Sequence, residues 1–315
     1  MNEVEINRAS NLIDPHLQIW GWEIPVYLFL GGLTAGIMIL SALLSRGRRP
    51  EERSRWARWL PFAAPVLLSV GMLALFLDLA YKAHVFRFFT ALRLTSPMSW
   101  GSWILLAIYP VTLLFGLAGL TGEEVERLAT WRPVAALRLG WLVRLGRRIA
   151  ESRVGLLRIA SVVLGIGLGS YTGLLLGTLG ARLVWSSGVL GPLFLVSGIS
   201  TGAALMMLFP LADDERRFLR NADIGAIVVE LGLLGAYLLG LATAGAGGRG
   251  AAEMFLGGPY TATFWSLVVI AGLLVPLLVE SLEARKRLRH TALAPALLLI
   301  GGLSLRWILV LAGQA

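Results

Sequence analysis

The chain has 315 residues, of which 57% are hydrophobic and 15% charged, where soluble domains carry about a quarter charged residues. With a mean hydropathy of +0.74, this excludes a water-soluble globular enzyme, and the dominance of apolar blocks excludes a disordered or fibrous chain. The chain has no cysteine, which excludes disulfides, thiolate zinc sites and iron–sulfur clusters held by this polypeptide.

Eight apolar runs follow in order, at about 24–45, 59–80, 100–120, 154–178, 188–210, 223–243, 261–282 and 292–312. Each is near the ~20 residues that cross a hydrocarbon core as a helix. In lipid, only a helix or a closed barrel satisfies every backbone polar group. The alternation of period two that marks a barrel is absent, so the expected fold is all-α with eight membrane spans. The first 22 residues carry Glu3, Glu5, Arg8 and Asp14. That is no cleavable signal peptide, and span 1 is expected to insert as an uncleaved anchor after an outer segment, 1–22.

The formal net charge of +9 resolves into topology. Twenty-one of the 28 basic residues lie in the four links 1–2, 3–4, 5–6 and 7–8. Six face the other side, Arg8, Lys82, Arg87, Arg93, Arg182 and Arg249. The positive-inside rule makes the crowded side cytoplasmic and both termini outer. This removes the nucleic-acid reading of the charge. Tryptophans cluster near both sets of span ends, Trp20, Trp22, Trp100, Trp103, Trp185, Trp265 and Trp307 at one and Trp56, Trp59, Trp131 and Trp141 at the other, as interfacial belts do. Residues 123–153 read as one Arg-rich amphipathic helix on the inner membrane surface, open to lipid or partner binding.

Spans 1 and 5 repeat a pattern. Gly32-Leu33-Thr34-Ala35-Gly36 corresponds to Gly198-Ile199-Ser200-Thr201-Gly202; both follow Leu-Phe-Leu, and both spans open near a proline, Pro25 and Pro192. Four helices separate the two, so the repeat is parallel. It predicts two four-helix bundles, over 23–180 and 181–315. Small residues four apart favour close helix packing.

An ionisable group within a span is costly and a functional candidate. Glu23, Asp78, Glu230, Glu280 and Arg306 qualify. Glu280, near an inner span end, is expected to snorkel to water. Glu230 and Arg306 suit either structural ion pairing or a proton path, with Ser197, Ser200 or Thr201 beside them. Glu23 opens span 1 and Asp78 closes span 2 at the outer face. Tyr171 lies sixteen residues, about 24 Å, along span 4 from the inside. His16, Lys82, His84 and Arg87 adjoin them, either as interfacial anchors or as part of a site. The three histidines, His16, His84 and His290, lie outside the span middles, which argues against a transmembrane haem. No metal-ligand spacing, Walker loop or Rossmann fingerprint occurs. What remains is a site for a lipid-soluble ligand with polar ends. Quinol oxidation is one candidate, since it needs hydrogen-bond partners for two ring oxygens and a nearby base.

Several segments resemble the NrfD/PsrC family of membrane subunits of polysulfide-reductase-like complexes. Trp20-Gly21-Trp22-Glu23-Ile24-Pro25-Val26-Tyr27-Leu28-Phe29-Leu30-Gly31-Gly32 is similar to the family's first helix, and Thr95-Ser96-Pro97-Met98-Ser99-Trp100-Gly101-Ser102-Trp103 to the signature before its third. Asp78-Leu79, Tyr171-Thr172-Gly173 and Leu193-Phe194-Leu195-Val196-Ser197-Gly198 resemble the ends or cores of helices 2, 4 and 5. Where the family commonly has Gly-Arg-Pro after the aspartate, this chain has Ala80-Tyr81-Lys82.

The resemblance implies a multi-pass subunit of a prokaryotic cytoplasmic membrane with no haem, iron–sulfur cluster or metal of its own. It implies a quinone as substrate, menaquinone or ubiquinone, bound at the outer face of the first bundle. By position it implies Glu23, Asp78 and Tyr171 at that site, with His16, His84 and Arg87 beside them. It also implies a ferredoxin-like iron–sulfur subunit on the outer face, linked to a molybdopterin-type catalytic subunit. A secondary transporter and a purely structural anchor are the competing readings. Transporters favour inverted repeats and midplane sites; here the repeat is parallel and the polar groups favour one end.

The charge split generates the first prediction. A topology reporter fused after Ala315 is expected to be active outside the cytoplasm, and reporters at Glu124 and Asp214 inside it. A cytoplasmic carboxyl terminus would overturn the span count.

Overall fold

The computed structural model describes residues 20–79, 81–86, 90, 96–178, 182–288 and 290–314. Eight helices are long and apolar enough to cross a membrane: α1 (Glu23–Leu44), α2 (Arg55–Asp78), α3 (Met98–Gly119), α7 (Val154–Gly177), α8 (Leu190–Met207), α9 (Asp213–Thr243), α11 (Thr261–Ala284) and α12 (Leu293–Ala312). Shorter helices fill the links: α4 (Gly122–Ala129), α5 (Arg132–Ala136), α6 (Gly140–Ser152) and α10 (Gly245–Leu256). No strand occurs among the described residues. Large apolar side chains such as Val66, Leu73, Ile159, Val163, Leu239 and Leu278 are exposed on the long helices, as surfaces facing lipid require.

Two departures from the sequence reading concern the links. The stretch 123–153 is three helices rather than one. Pro133 sits in the first turn of α5, where its missing N–H does no harm but prevents continuation from α4. Arg138 adopts a positive φ of 52°, which ends α5 before α6 begins. A Cβ on Gly140 would come within 2.8 Å of the Ala129 carbonyl oxygen, so glycine lets α6 fold back onto α4. Helix α9 also begins ten residues before the apolar run, at Asp213. Asp213, Asp214 and Glu215 occupy its first turn, where negative charge is favourable. Arg216, Arg217 and Arg220 are therefore helical rather than linking.

The long helices contact one another in two rings among the described residues, α1–α2–α3–α7 and α8–α9–α11–α12. The rings share a seam in which α1 packs along α8 and touches α12, while α7 also packs on α8. The seam is lined by the repeated glycines. A Cβ on Gly198 would lie 2.6 Å from the Gly32 carbonyl oxygen, and one on Gly202 would lie 2.7 Å from Gly36 Cα. A second close approach joins α11 to α12 at Gly272 and Gly301.

At one end of the bundle, Gln314 bridges to the start of α1. Its side chain accepts from Trp20 N–H at 2.8 Å and donates to the Trp20 carbonyl at 3.1 Å. Trp185 is buried at this end rather than spread on the interface. Its indole donates to the Leu309 carbonyl at 2.8 Å and its ring centroid lies 5.0 Å from that of Trp20.

At the opposite end, Glu124 ties α4 to α2. It accepts from Arg58 through both oxygens, at 2.8 and 2.9 Å, and from the Trp59 indole at 3.2 Å and Thr121 N–H at 3.0 Å. Glu215 is fully buried and accepts from Ser54 N–H and Ala212 N–H, each at 3.0 Å.

Burial disfavours the Glu124 carboxylate, but the donors from Arg58, Thr121 and Trp59 outweigh it and hold the carboxyl at about 2 instead of 4.5. A depressed folded-state value stabilises above the unfolded value and is lost as pH falls through the folded one. Glu124→Gln is therefore expected to lower the melting temperature in detergent above pH 4.5, by a cost of about 1–3 kcal/mol. The gap to the parent protein should close between pH 4.5 and 2; a gap independent of pH would exclude the ionised contact.

Candidate functional site

A cavity of about 570 Å³ opens between α1, α2, α3 and α7 at the Trp20 end. Its size falls in the ~300–1,000 Å³ range of small-molecule sites. Ile24 and Leu28 of α1, Met72 and Leu75 of α2, Leu105 of α3 and Leu176 of α7 give it apolar walls. Leu73, Phe76 and Met98 also line it and are exposed on the outside of the bundle, which gives the cavity a side facing the bilayer.

Polar groups on the wall differ in what they can offer. Ser102 Oγ donates to the Met98 carbonyl at 2.9 Å, Ser69 Oγ to the Pro65 carbonyl at 2.8 Å and Thr172 Oγ1 to the Gly169 carbonyl at 3.3 Å. These hydroxyls are turned back onto their own helices. Asp78, Tyr171 and Tyr27 also line the cavity. Asp78 is the last residue of α2 and is followed by extended backbone at Leu79, so its carboxyl stands at the helix end. Tyr171 lies directly over Gly101, where a Cβ would overlap its phenol. The glycine of the Trp100-Gly101-Ser102 run is what lets the tyrosine settle between α3 and α7.

The residues singled out in the sequence are distributed as follows. Asp78 and Tyr171 share the cavity, and Glu23 stands close enough for its charge to act on Asp78. His84 lies in a short 3-10 turn, Lys82–His84, exposed and off the cavity wall, with its ring 6.5 Å from those of Tyr81 and Phe86. His16 and Arg87 lie outside the described residues. Tyr27 was not anticipated; its position one turn after Glu23 on α1 was the available signal.

A second polar cluster is buried between the rings. Arg306, fully buried on α12, donates to Ser197 Oγ at 3.1 Å, to the Gly302 carbonyl at 2.8 Å and to the Phe194 carbonyl at 3.3 Å. Its guanidinium carbon lies 5.2 Å from the Phe194 ring centroid and 5.9 Å from that of Phe29. A Cβ on Gly32 would come 2.6 Å from Arg306 Nη2, so this glycine also makes room for the cation. Glu230 is buried beside Ser197 and is the carboxylate acting on Arg306. Thr201 is buried and donates to the Ser197 carbonyl at 2.9 Å.

Glu280 is only 1% exposed, a correction to the expectation that it snorkels. It faces α9, not solvent, and its neighbour there is Asp223. Asp223 is fully buried and accepts from Ser200 Oγ at 2.7 Å. Its second oxygen and both Glu280 oxygens have no hydrogen-bond partner among the described residues. Asp223 was missed because it opens the apolar run of its helix. The spacing to Glu230, seven residues or two turns, puts both on one face and was legible. Glu283 continues the series, accepting from Thr291 N–H at 3.0 Å and lying 3.3 Å from His290 Nδ1.

Fold and site thus define a multi-pass helical membrane protein with an intramembrane, bilayer-facing cavity and a separate buried charge cluster. A family model described as "Polysulphide reductase, NrfD" matches residues 10–315, and the chain belongs to the NrfD family. It is 30% identical over 311 residues to the C polypeptide of polysulfide reductase from Wolinella succinogenes, covering 94% of each protein. It is 31% identical over 314 residues to protein NrfD of Escherichia coli, covering 94% of this chain and 95% of that one. The C polypeptide of selenate reductase from Mesobacillus selenatarsenatis is 26% identical over 321 residues, covering 93% of this chain and 73% of that one.

Arg306 and Glu230 are buried opposite charges that act on one another, and removing one leaves the other less compensated, a loss bounded by the ~3–5 kcal/mol of a broken contact ion pair. Arg306→Gln is expected to show a loss within that bound in detergent unfolding, and Arg306→Gln with Glu230→Gln is expected to recover part of it. Strictly additive costs in the double-mutant cycle would mean that the two charges do not support one another.

Proposed function

We propose that this chain is a quinone-reactive membrane anchor subunit. In this reading it passes electrons between the membrane quinone pool and an iron–sulfur subunit of a multi-subunit oxidoreductase. The observation that carries this is the cavity between α1, α2, α3 and α7. It joins apolar walls and a bilayer-facing side to a carboxyl and phenols, Asp78, Tyr171 and Tyr27. The family relationship supports it, since relatives are named as parts of polysulfide and selenate reductases.

The quinone supplies the redox chemistry. The residues of this chain bind, orient and handle protons. Tyr171 offers an O–H to one ring oxygen, and Asp78, with Glu23 beside it, accepts or returns the proton that accompanies electron transfer. His84 and, by sequence position, His16 and Arg87 flank the same end. The basic links make the Arg58 end cytoplasmic, so both termini and the cavity face outward, and the iron–sulfur and molybdopterin-type partners dock on the outer face over 81–99. With no cysteine in the sequence, electrons pass directly between quinone and partner. The two helix rings are the two repeated bundles, 23–180 and 181–315. The parallel glycine motifs at their shared seam support that arrangement.

Glu230 and Thr201 belong to a proton path from the cytoplasmic end. The buried series Glu283, Glu280, Asp223 and Glu230 supports its course. It ends at Arg306 and Gly32, and Gly32 is one helical turn, about 6 Å, from Leu28 on the cavity wall.

In the purified complex, Tyr171→Phe and Asp78→Asn are expected to lower turnover with a short-chain quinol by about 10²-fold or more, while the subunits still co-purify. Unchanged turnover in both would remove the quinone site from this cavity. Glu230→Gln keeps shape and hydrogen bonding but cannot shuttle a proton; if turnover and proton movement both survive it, the path is wrong.

A further inference from the structure

At the Arg58 end, a smaller cavity of about 280 Å³ lies where α1, α3 and α7 end and where α6 crosses beneath them. Its position in depth follows from its neighbours. Ser45 directly follows α1, Gly119 closes α3 and Val154 opens α7, so the cavity sits at the boundary between hydrocarbon and water. Helix α6 exposes Trp141, Leu142, Leu145 and Ile149 on its outside, the pattern of a helix lying in the interfacial plane.

The lining is strongly unbalanced in charge. Arg48, Arg49, Arg53, Arg147 and Arg158 face the cavity with Glu151 as the one carboxylate among its described lining residues. Two of the cations are partly answered: Arg147 pairs with Glu151 at 2.8 Å, and Arg48 pairs with Asp214. Among the described residues Arg158 hydrogen-bonds Ser45 alone, with long contacts of 3.4 Å to its hydroxyl and its carbonyl. Arg53 is 7% exposed, donates to the Gly119 carbonyl at 3.0 Å and leaves its Nε buried without a partner among the described residues. Burial lowers its affinity for the proton; Arg58, Arg158 and Arg147 act in the same direction and Glu215 against it. Such a cluster calls for an anion with several acceptor oxygens, which guanidinium forks match. Phe115, Ala118 and Val154 supply apolar wall on the same cavity, which an acyl tail would cover and a free ion would not.

We propose that this cavity is a binding site for the phosphate of an anionic phospholipid, with Arg49, Arg53 and Arg158 holding the headgroup and its acyl tail passing beside Phe115 and Val154. The chemistry is that of basic pockets between spans on the cytoplasmic side. The site is separate from the quinone cavity and does not depend on that reading.

The test uses the full-length protein purified in mild detergent. Native mass spectrometry and thermal unfolding are recorded with added phosphatidylglycerol or cardiolipin, with phosphatidylcholine, and with inorganic phosphate. Anionic lipid is expected to be retained and to raise the melting temperature, while phosphatidylcholine does neither. Arg158→Gln and Arg49→Gln, at the less buried positions, are each expected to weaken retention of the anionic lipid about fivefold. Arg53→Gln is expected to weaken it further if the variant folds, and the two other substitutions decide the matter if it does not. Equal retention of both lipid types, or unchanged retention in Arg158→Gln and Arg49→Gln, would overturn the proposal. Displacement of the lipid by millimolar inorganic phosphate would overturn it too, in favour of a site for a free anion.

Discussion

The structure depends on a contact between two backbones. Helices gain little from hiding apolar side chains in a solvent that is itself apolar, so association must come from close packing and buried polar contacts. Gly32, Gly36, Gly198 and Gly202 let α1 and α8 approach until carbonyl and Cα atoms of one touch those of the other. At Gly36, Gly198 and Gly202 no side chain larger than hydrogen fits without moving a helix. The same seam then admits Arg306, whose guanidinium occupies the space that a Cβ on Gly32 would take. Packing and charge are therefore coupled: the glycines that join the rings also make room for a fully buried arginine that donates to Ser197 and two backbone carbonyls, with the Glu230 charge acting on it.

From that seam the two polar systems separate. One ring keeps its cavity at the Trp20 end, with apolar walls and a few oxygen atoms. The other carries its ionisable groups in a column along α9, from Glu215 near the Arg58 end through Asp223 to Glu230. Fifteen residues span that column, about 22 Å. Groups this deeply buried are costly without partners, and the structure answers unevenly. Glu215 has two backbone N–H donors. Asp223 and Glu280 face each other with unanswered oxygens.

The links between spans share this division of labour. The Glu124–Arg58 contact and the Glu215 contacts fix α4 and the start of α9 against α2, while α6 packs on α3 and α4 and keeps Trp141, Leu142, Leu145 and Ile149 exposed. The arginines that set the charge asymmetry are thus not all alike. Arg58 is satisfied by a carboxylate, whereas Arg53 and Arg158 crowd a cavity with little to balance them.

The sequence by itself determined the membrane class and the eight spans, because their signal is summed hydropathy over some twenty residues and needs no partner. It also marked Gly32, Gly36, Gly198 and Gly202 as a repeat and Asp78 and Tyr171 as candidates. These are properties of single segments read against the bilayer as solvent. What only the tertiary structure decided concerns pairs of distant residues: Asp223 against Glu280, Arg306 over Gly32, Tyr171 over Gly101, and the burial of Trp185. Hydropathy could not separate Glu280 at a span end facing water from Glu280 at a span end facing α9. The difference is a rotation about the helix axis, and that rotation is set by the neighbouring helices rather than by the residue's own position in the sequence.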